Sequence, residues 1–109
     1  MGTSPLLLEQ LRRAGALAGE RISELPMNPE YDIALITDIA DMHNTSGTGD
    51  AGSIYAAVFL REFTNDLPWV HLDIAGTAYH SADLLGRLVP KGPSGVMTRT
   101  LAHLPFQML

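Results

Sequence analysis

Cysteine is absent and lysine occurs once, at Lys91. Without thiols the chain has no disulfide framework, no thiolate metal ligand and no thiol nucleophile. That suits a reducing compartment, and the protein is expected to be cytoplasmic. Basic density is also missing. Net charge is −2 over residues 1–36, −4 over 37–66 and +1 over the remainder, for a total of −5. No segment offers the basic surface that nucleic acid requires, so no nucleic-acid partner is expected. No run approaches the roughly 18 apolar residues of a membrane span. The start lacks a basic region followed by an apolar core and does not read as a signal peptide. What the chain does have is apolar content, 46% of 109 residues, enough for one folded domain with a modest core.

The stretch around which the rest is organised is Trp69-Val70-His71-Leu72-Asp73-Ile74-Ala75-Gly76. It is apolar and rich in β-branched and aromatic residues, and the turn signal Asn65-Asp66-Leu67-Pro68 precedes it. It reads as a main strand over about 69–74 entering a glycine turn. The residues before it, 51–63, read as a helix: Ile54, Ala57, Val58 and Leu60, with Tyr55, Phe59 and Phe63 around them, leave few polar positions. A helix that apolar needs cover on more than one face. Helix, turn and strand together form a unit of α/β type. Such a strand normally lies inside a sheet, yet few other segments could pair with it. The expected fold is therefore a partial α/β unit.

Further helices are expected at about 5–18, 30–36 and 96–104. Ser4-Pro5 supplies a hydroxyl cap and a proline at the first helical position, and Leu7, Leu11, Ala14 and Ala18 recur at helical steps. Gly15 weakens this helix and Gly19 is a plausible stop. Pro29 could begin the next helix, whose apolar face would be Ile33, Ile36 and Ala40, with Glu30 and Asp32 at its favourable end. Residues 37–50 read as a polar loop, with Asp50 well placed to cap the helix after it. Residues 77–91 read as mostly loop, with Leu84, Leu85, Leu88 and Val89 able to form a turn or a piece of helix. Lys91-Gly92-Pro93-Ser94-Gly95 is a second punctuated loop, and Pro105 ends the last helix. Met1-Gly2-Thr3 could be a start added to the chain.

Several segments resemble, in order and spacing, the C-terminal part of the M17 leucyl aminopeptidase (cytosol aminopeptidase) family. They are Asp38-Ile39-Ala40-Asp41, Ala56-Ala57-Val58-Phe59-Leu60-Arg61-Glu62-Phe63, Trp69 to Gly76, Lys91-Gly92, and Gly95 with Arg99-Thr100-Leu101. The first helix and Gly19-Glu20-Arg21 fit the family's preceding segment. The resemblance spans nearly all of this chain but only about the last quarter of a typical member. It implies a domain, 1–109, that is a C-terminal fragment of a peptidase catalytic domain. Full-length members are hydrolases that remove N-terminal residues from peptides, using two divalent metal ions, zinc or manganese, to activate water and stabilise the oxyanion. They usually assemble as hexamers, so a homo-oligomer is implied.

The resemblance also implies what is missing. The family's metal-binding lysine and acids and its Asn-Thr-Asp-Ala-Glu-Gly-Arg signature lie upstream of the matching segments. Asn44-Thr45 begins like that signature but continues Ser46-Gly47-Thr48-Gly49. No catalytic and no metal residue is therefore assigned, and the fragment alone is expected to be inactive. What carries over is pocket lining: Ala75 and Ala78 resemble positions lining the pocket for the substrate's first side chain. Their small size would suit a large apolar group.

Other polar residues have structural explanations. Asp38, Asp41 and His43 have suitable chemistry for zinc or manganese, but three groups on one short loop read better as caps on a surface. His71 and Asp73 share one face of a strand by period two and read as a structural polar pair. Arg99 reads as the partner of a local acid or helix end, Trp69 as a packing residue, and His80 and His103 carry no signal beyond ordinary surface or packing use. The expected partners are the remainder of the catalytic domain or another copy of the chain, with peptide substrates only in the full-length form. The alternative is a shortened, non-enzymatic relative acting as a binding or assembly subunit. A small autonomous metalloenzyme using Asp38, Asp41 and His43 is a third reading.

Overall fold

The structure, a computed structural model, describes residues 1–81 and 91–108. Leu84, Leu85, Leu88 and Val89 lie outside the described residues. The elements are α1 (Pro5–Ala18), α2 (Glu30–Ile33), α3 (Gly52–Arg61), β1 (Tyr79–His80), β2 (Gly92–Pro93), α4 (Thr98–His103) and a 3₁₀ turn, Leu104–Gln107. Among the described residues, helices thus accompany one small sheet. The chain divides into two units, Met1–Leu8 with Ser23–Leu72 and Glu9–Ile22 with Asp73–Leu109.

Helix α1 forms where the periodicity predicts it. The Ser4 hydroxyl accepts from the Leu7 N–H at 3.2 Å, satisfying one of the first-turn donors that no helix can pair internally. Leu8, Leu11 and Ala14 are its buried positions. Its end is built by two glycines. Gly19 takes φ +72°, and the Glu20 and Gly19 N–H groups donate to the Gly15 and Ala16 carbonyls at 2.8 and 3.3 Å. This pair of bonds closes the helix as a Schellman turn.

In the first unit the core is Met1, Leu35, Ile54, Ala57 and Val58, with Tyr31, Tyr55, Phe59 and Trp69 packed against it. The Tyr31 and Tyr55 rings meet edge-on at 5.5 Å between centroids, a favoured aromatic geometry. Helix α2 is shorter than the predicted 30–36. After Ile33 the bonds become i→i−3, Leu35 to Asp32 and Ile36 to Ile33, tightening the chain out of α geometry. Leu35 beyond the helix enters the core, 2% exposed, whereas Ile33 and Ile36, the predicted apolar face, are 67% and 70% exposed. Helix α3 is shorter than 51–63 for the same reason, its last turn closing through i→i−3 bonds from Glu62, Phe63 and Thr64. Its N-cap is Ala51 at φ +50°, without a side-chain cap bond. Asp50 stands one position early and is not the cap. Arg61 Nη2 at the end of α3 meets Asp32 Oδ1 of α2 at 2.6 Å. Burial works against its charge, but the carboxylates of Asp32 and Glu62 outweigh burial and raise its pKa above the ordinary value.

The predicted main strand at 69–74 is the principal correction. Asn65 and Asp66 form the expected turn, both at positive φ. Beyond that turn the chain makes one isolated antiparallel bridge, Val70 with Gly2. Thr3 N–H donates to Trp69 O at 3.0 Å and His71 N–H to Met1 O at 2.9 Å. A strand needs a neighbour to exchange bonds with, and among the described residues Met1–Thr3 is the neighbour that Trp69–His71 finds. Gly2 permits the approach, since a Cβ there would stand 2.6 Å from Trp69 O.

In the second unit the regular pairing falls where the sequence reads as loop: Tyr79 opposite Pro93 and His80 opposite Gly92, antiparallel. Two residues per strand are too few to show a period-two pattern. The final helix is Thr98–His103 in place of 96–104. Met97 is its N-cap at φ +68°, and Pro105 turns its end into the 3₁₀ segment.

Candidate functional site

The pocket candidates Ala75 and Ala78 stand on a tight turn. The Asp73 carboxylate accepts from the Ala75 N–H at 2.9 Å, an Asx turn. The Thr77 and Ala78 N–H groups both donate to Ile74 O, at 2.9 and 2.8 Å, and Ala78 O accepts from the Ser94 N–H at 2.9 Å. Ala75 is exposed and Ala78 half-buried. The small side chains therefore sit on a backbone fixed from both ends: by Asp73 within the turn and by Ser94 beyond β2.

Of the predicted polar pair, His71 is half-buried. Its ring lies 6.3 Å from that of Trp69, and its backbone bonds Met1 in both directions. Asp73 is exposed and its carboxylate shapes the Ala75 turn. Asp38, Asp41 and His43 lie on an exposed loop. There the Ile39 N–H donates to the Thr37 hydroxyl at 3.4 Å and the His43 N–H to Leu35 O at 2.8 Å. Among the described residues no three His, Asp or Glu side chains stand together to hold a metal ion. The donor set of the described residues thus does not fit a pair of divalent ions.

A polar depression of about 370 Å³ is lined by Thr3, Arg61, Glu62, Thr64, Asn65 and Asp66. Its cation is already engaged, since Arg61 pairs with both Asp32 and Glu62.

One charged cluster was not foreseen in the sequence. Glu20, its side chain only 9% exposed, accepts from the Thr100 hydroxyl at 2.6 Å and the Thr100 N–H at 3.1 Å, with Arg99 Nη2 at 3.6 Å. Thr100 is fully buried. The Thr100 hydroxyl bond is the strongest influence holding the Glu20 carboxyl below its ordinary range; burial pushes the other way, and the backbone N–H groups of Thr100 and Met97 and the charge of Arg99 add to the lowering. Arg99 pairs not with a local acid, as expected, but with one 79 residues away. An acid directly after a helix-ending glycine is the one local signal of this cluster.

Residues 1–102 match the model of the cytosol aminopeptidase family, catalytic domain. The chain belongs to the cytosol aminopeptidase family. Relatives within it include the "Probable cytosol aminopeptidase" of Desulfotalea psychrophila, 45% identical over 101 residues, covering 93% of this chain and 20% of that protein. Another is the "Probable cytosol aminopeptidase" of Rhodopseudomonas palustris, 54% identical over 72 residues, 66% of this chain and 14% of that protein. Among solved structures the chain is similar to the bottromycin maturation enzyme BotP in complex with Mn, with a TM-score of 0.84 and 33% identity, covering 94% of this chain and 22% of that one. The chain thus spans about 20% of the length of the aminopeptidases it matches. It is a fragment measured against its family.

Proposed function

We propose that residues 1–109 are the C-terminal fragment of the catalytic domain of a metal-dependent leucyl aminopeptidase, and that the fragment alone is inactive. The observation that carries this is the coverage: a match over 93% of this chain accounts for only 20% of the related aminopeptidase. In the longer protein the segment supplies a wall of an α/β catalytic domain, with Ala75 and Ala78 on the edge of the pocket for the substrate's first side chain. Two divalent ions, zinc or manganese, belong to the full-length form. No step through them is assigned to this chain, whose described residues hold no donor set for them. His71 and Asp73 serve as structural polar groups, each within its own unit, with the Asp73 carboxylate fixing the Ala75 backbone.

The exposed apolar side chains support the same reading. In the first unit Ile36 is 70% and Ile39 91% exposed. Large apolar groups left this open suit a surface that other chain covers, and the remainder of the catalytic domain is the proposed cover. Homo-oligomeric assembly in the cytoplasm is proposed for the full-length form.

The test is hydrolysis of leucine p-nitroanilide by the purified 109-residue chain with added Mn²⁺ or Zn²⁺. No turnover above the metal-containing buffer is expected. Turnover that accompanies the chain through purification and disappears in Asp38→Asn/Asp41→Asn would replace this reading with a self-contained metalloenzyme.

A further inference from the structure

We propose that Glu20 is an acid-released latch: its ionised carboxylate holds the first turn of α4 to the turn that ends α1, and protonation frees that turn. The geometry is that of a cap supplied from outside the helix. Thr100 is the third residue after the N-cap Met97, so its N–H is among the donors that α4 cannot pair internally. Met97 is held at φ +68°, and no side chain of its own caps the helix. Glu20 takes both the N–H and the hydroxyl of Thr100 on one carboxylate oxygen, Oε2, while Arg99 approaches the other, Oε1.

The carboxylate is also delivered there by construction. Gly19 in the left-handed region and the Glu20 N–H bond to Gly15 O reverse the chain within one residue of the helix end. Gly15 leaves room for that reversal, as a Cβ at this position would stand 2.5 Å from Glu20 O. A glycine that a helix would rather not contain, a left-handed glycine and a largely covered acid thus serve one contact. From α4 the charged group acting on Glu20 is Arg99, 71% exposed. On α1, Glu9 and Arg13 pair with each other at 2.9 Å.

The sign comes from the chemistry. A carboxylate holds the Thr100 N–H and hydroxyl with its full charge, whereas a neutral acid, its proton on Oε1, leaves Oε2 only the weaker acceptor strength of an uncharged carbonyl and drops the attraction to Arg99. Hydrogen bonds to the charged form hold Glu20 below its ordinary value, the Thr100 hydroxyl foremost. Its stabilisation is therefore complete above the unfolded-chain value of about 4.3 and is lost as pH falls through the lower folded value.

The test is NMR on the 109-residue chain, tracking the Glu20 side-chain carbon and the exchange protection of the Thr100 N–H from pH 7 downward. The Tyr55 N–H, bonded to Ala51 O at 3.1 Å, serves as the reference. Thr100 protection is expected to fall about tenfold or more relative to Tyr55, as befits loss of a bond to a charged acceptor, with the same midpoint as Glu20. In Thr100→Val both midpoints should move up together, because the hydroxyl is gone while the shape is kept. In Glu20→Gln the protection should be low already at pH 7 and flat with pH, a result that mere packing by the side chain would not produce. Arg99→Gln should change protection less than about twofold, as an exposed pair contributes little. Thr100 protection that stays constant while Glu20 protonates overturns the latch, and the wild-type titration alone decides this if a variant does not fold.

Discussion

Replacing a mid-helix glycine by alanine ordinarily helps a helix, by about 1 kcal/mol. At Gly15 the structure reverses that expectation. A Cβ would meet Glu20 O at 2.5 Å and Ile22 Cδ1 at 3.2 Å. The isoleucine tip can yield, but the oxygen is backbone, held in a turn closed by the Glu20→Gly15 and Gly19→Ala16 bonds. Overpacking costs about 1–3 kcal/mol, and a fixed backbone contact this short belongs in the upper part of that range. After the alanine's helix advantage is subtracted, Gly15→Ala should weaken the turn by about 1–2 kcal/mol, or 5–30-fold in the equilibrium between closed and open turn. The assay is hydrogen exchange at the Glu20 N–H, whose bond to Gly15 O reports this turn directly. Gly19→Ala serves as a comparison of different origin. Nothing lies within 4 Å of its Cβ position, so its cost is the left-handed φ of +72° alone, about 1–2 kcal/mol. Gly19→Asn should recover part of that loss, because asparagine tolerates the left-handed region. Equal or slower exchange at Glu20 in Gly15→Ala would show that Gly15 is not needed for the turn to close.

Three further perturbations have expected outcomes. Leu35→Ala removes a core side chain and should cost about 2–5 kcal/mol, read by urea unfolding through Trp69, the single tryptophan, which packs against that core; a loss below about 1 kcal/mol would contradict the placement of Leu35. Gly2→Ala should separate Met1–Thr3 from Trp69–His71 and speed exchange of the His71 N–H, because the added methyl would stand 2.6 Å from Trp69 O. Unchanged His71 protection would exclude that pairing. Asp32→Asn should cost about 0.5–1 kcal/mol, as the partner of Arg61 is itself 44% exposed. A double-mutant cycle with Arg61→Gln should show that the loss belongs to this pair, and additive losses would show that it does not.

What could be read from the sequence was local. Helix α1 was legible because its cap, its proline and its apolar spacing agree, and the turn at Asn65-Asp66 because its residues tolerate positive φ. The shared motifs pointed to the family through order and spacing. Elements that depend on distant partners were not legible. Trp69 to Ile74 has strand composition, but pairing is a property of two segments, and the neighbour it finds is a three-residue start with no periodicity of its own. The same limit hid Glu20, whose partner Thr100 lies 80 positions away. The burial of Leu35 in place of Ile33 and Ile36 was hidden in the same way, because the side of so short a helix that meets the core is set by Ile54, Ala57 and Val58 of α3, about twenty positions on. Of the site, the Ala75–Ala78 turn was legible as a glycine-containing turn, whereas the Ser94 bond that fixes it was not.

The central claim is that this chain is one part of an aminopeptidase catalytic domain and cannot hold the metal pair by itself. The most direct measurement is intact mass and metal content on a single size-exclusion peak of the purified protein. The expected result is a chain of 11.8 kDa with no stoichiometric zinc or manganese, whether it elutes alone or self-associated. A homogeneous peak of that chain alone, carrying a pair of metal ions per copy and releasing leucine from a peptide, would contradict it.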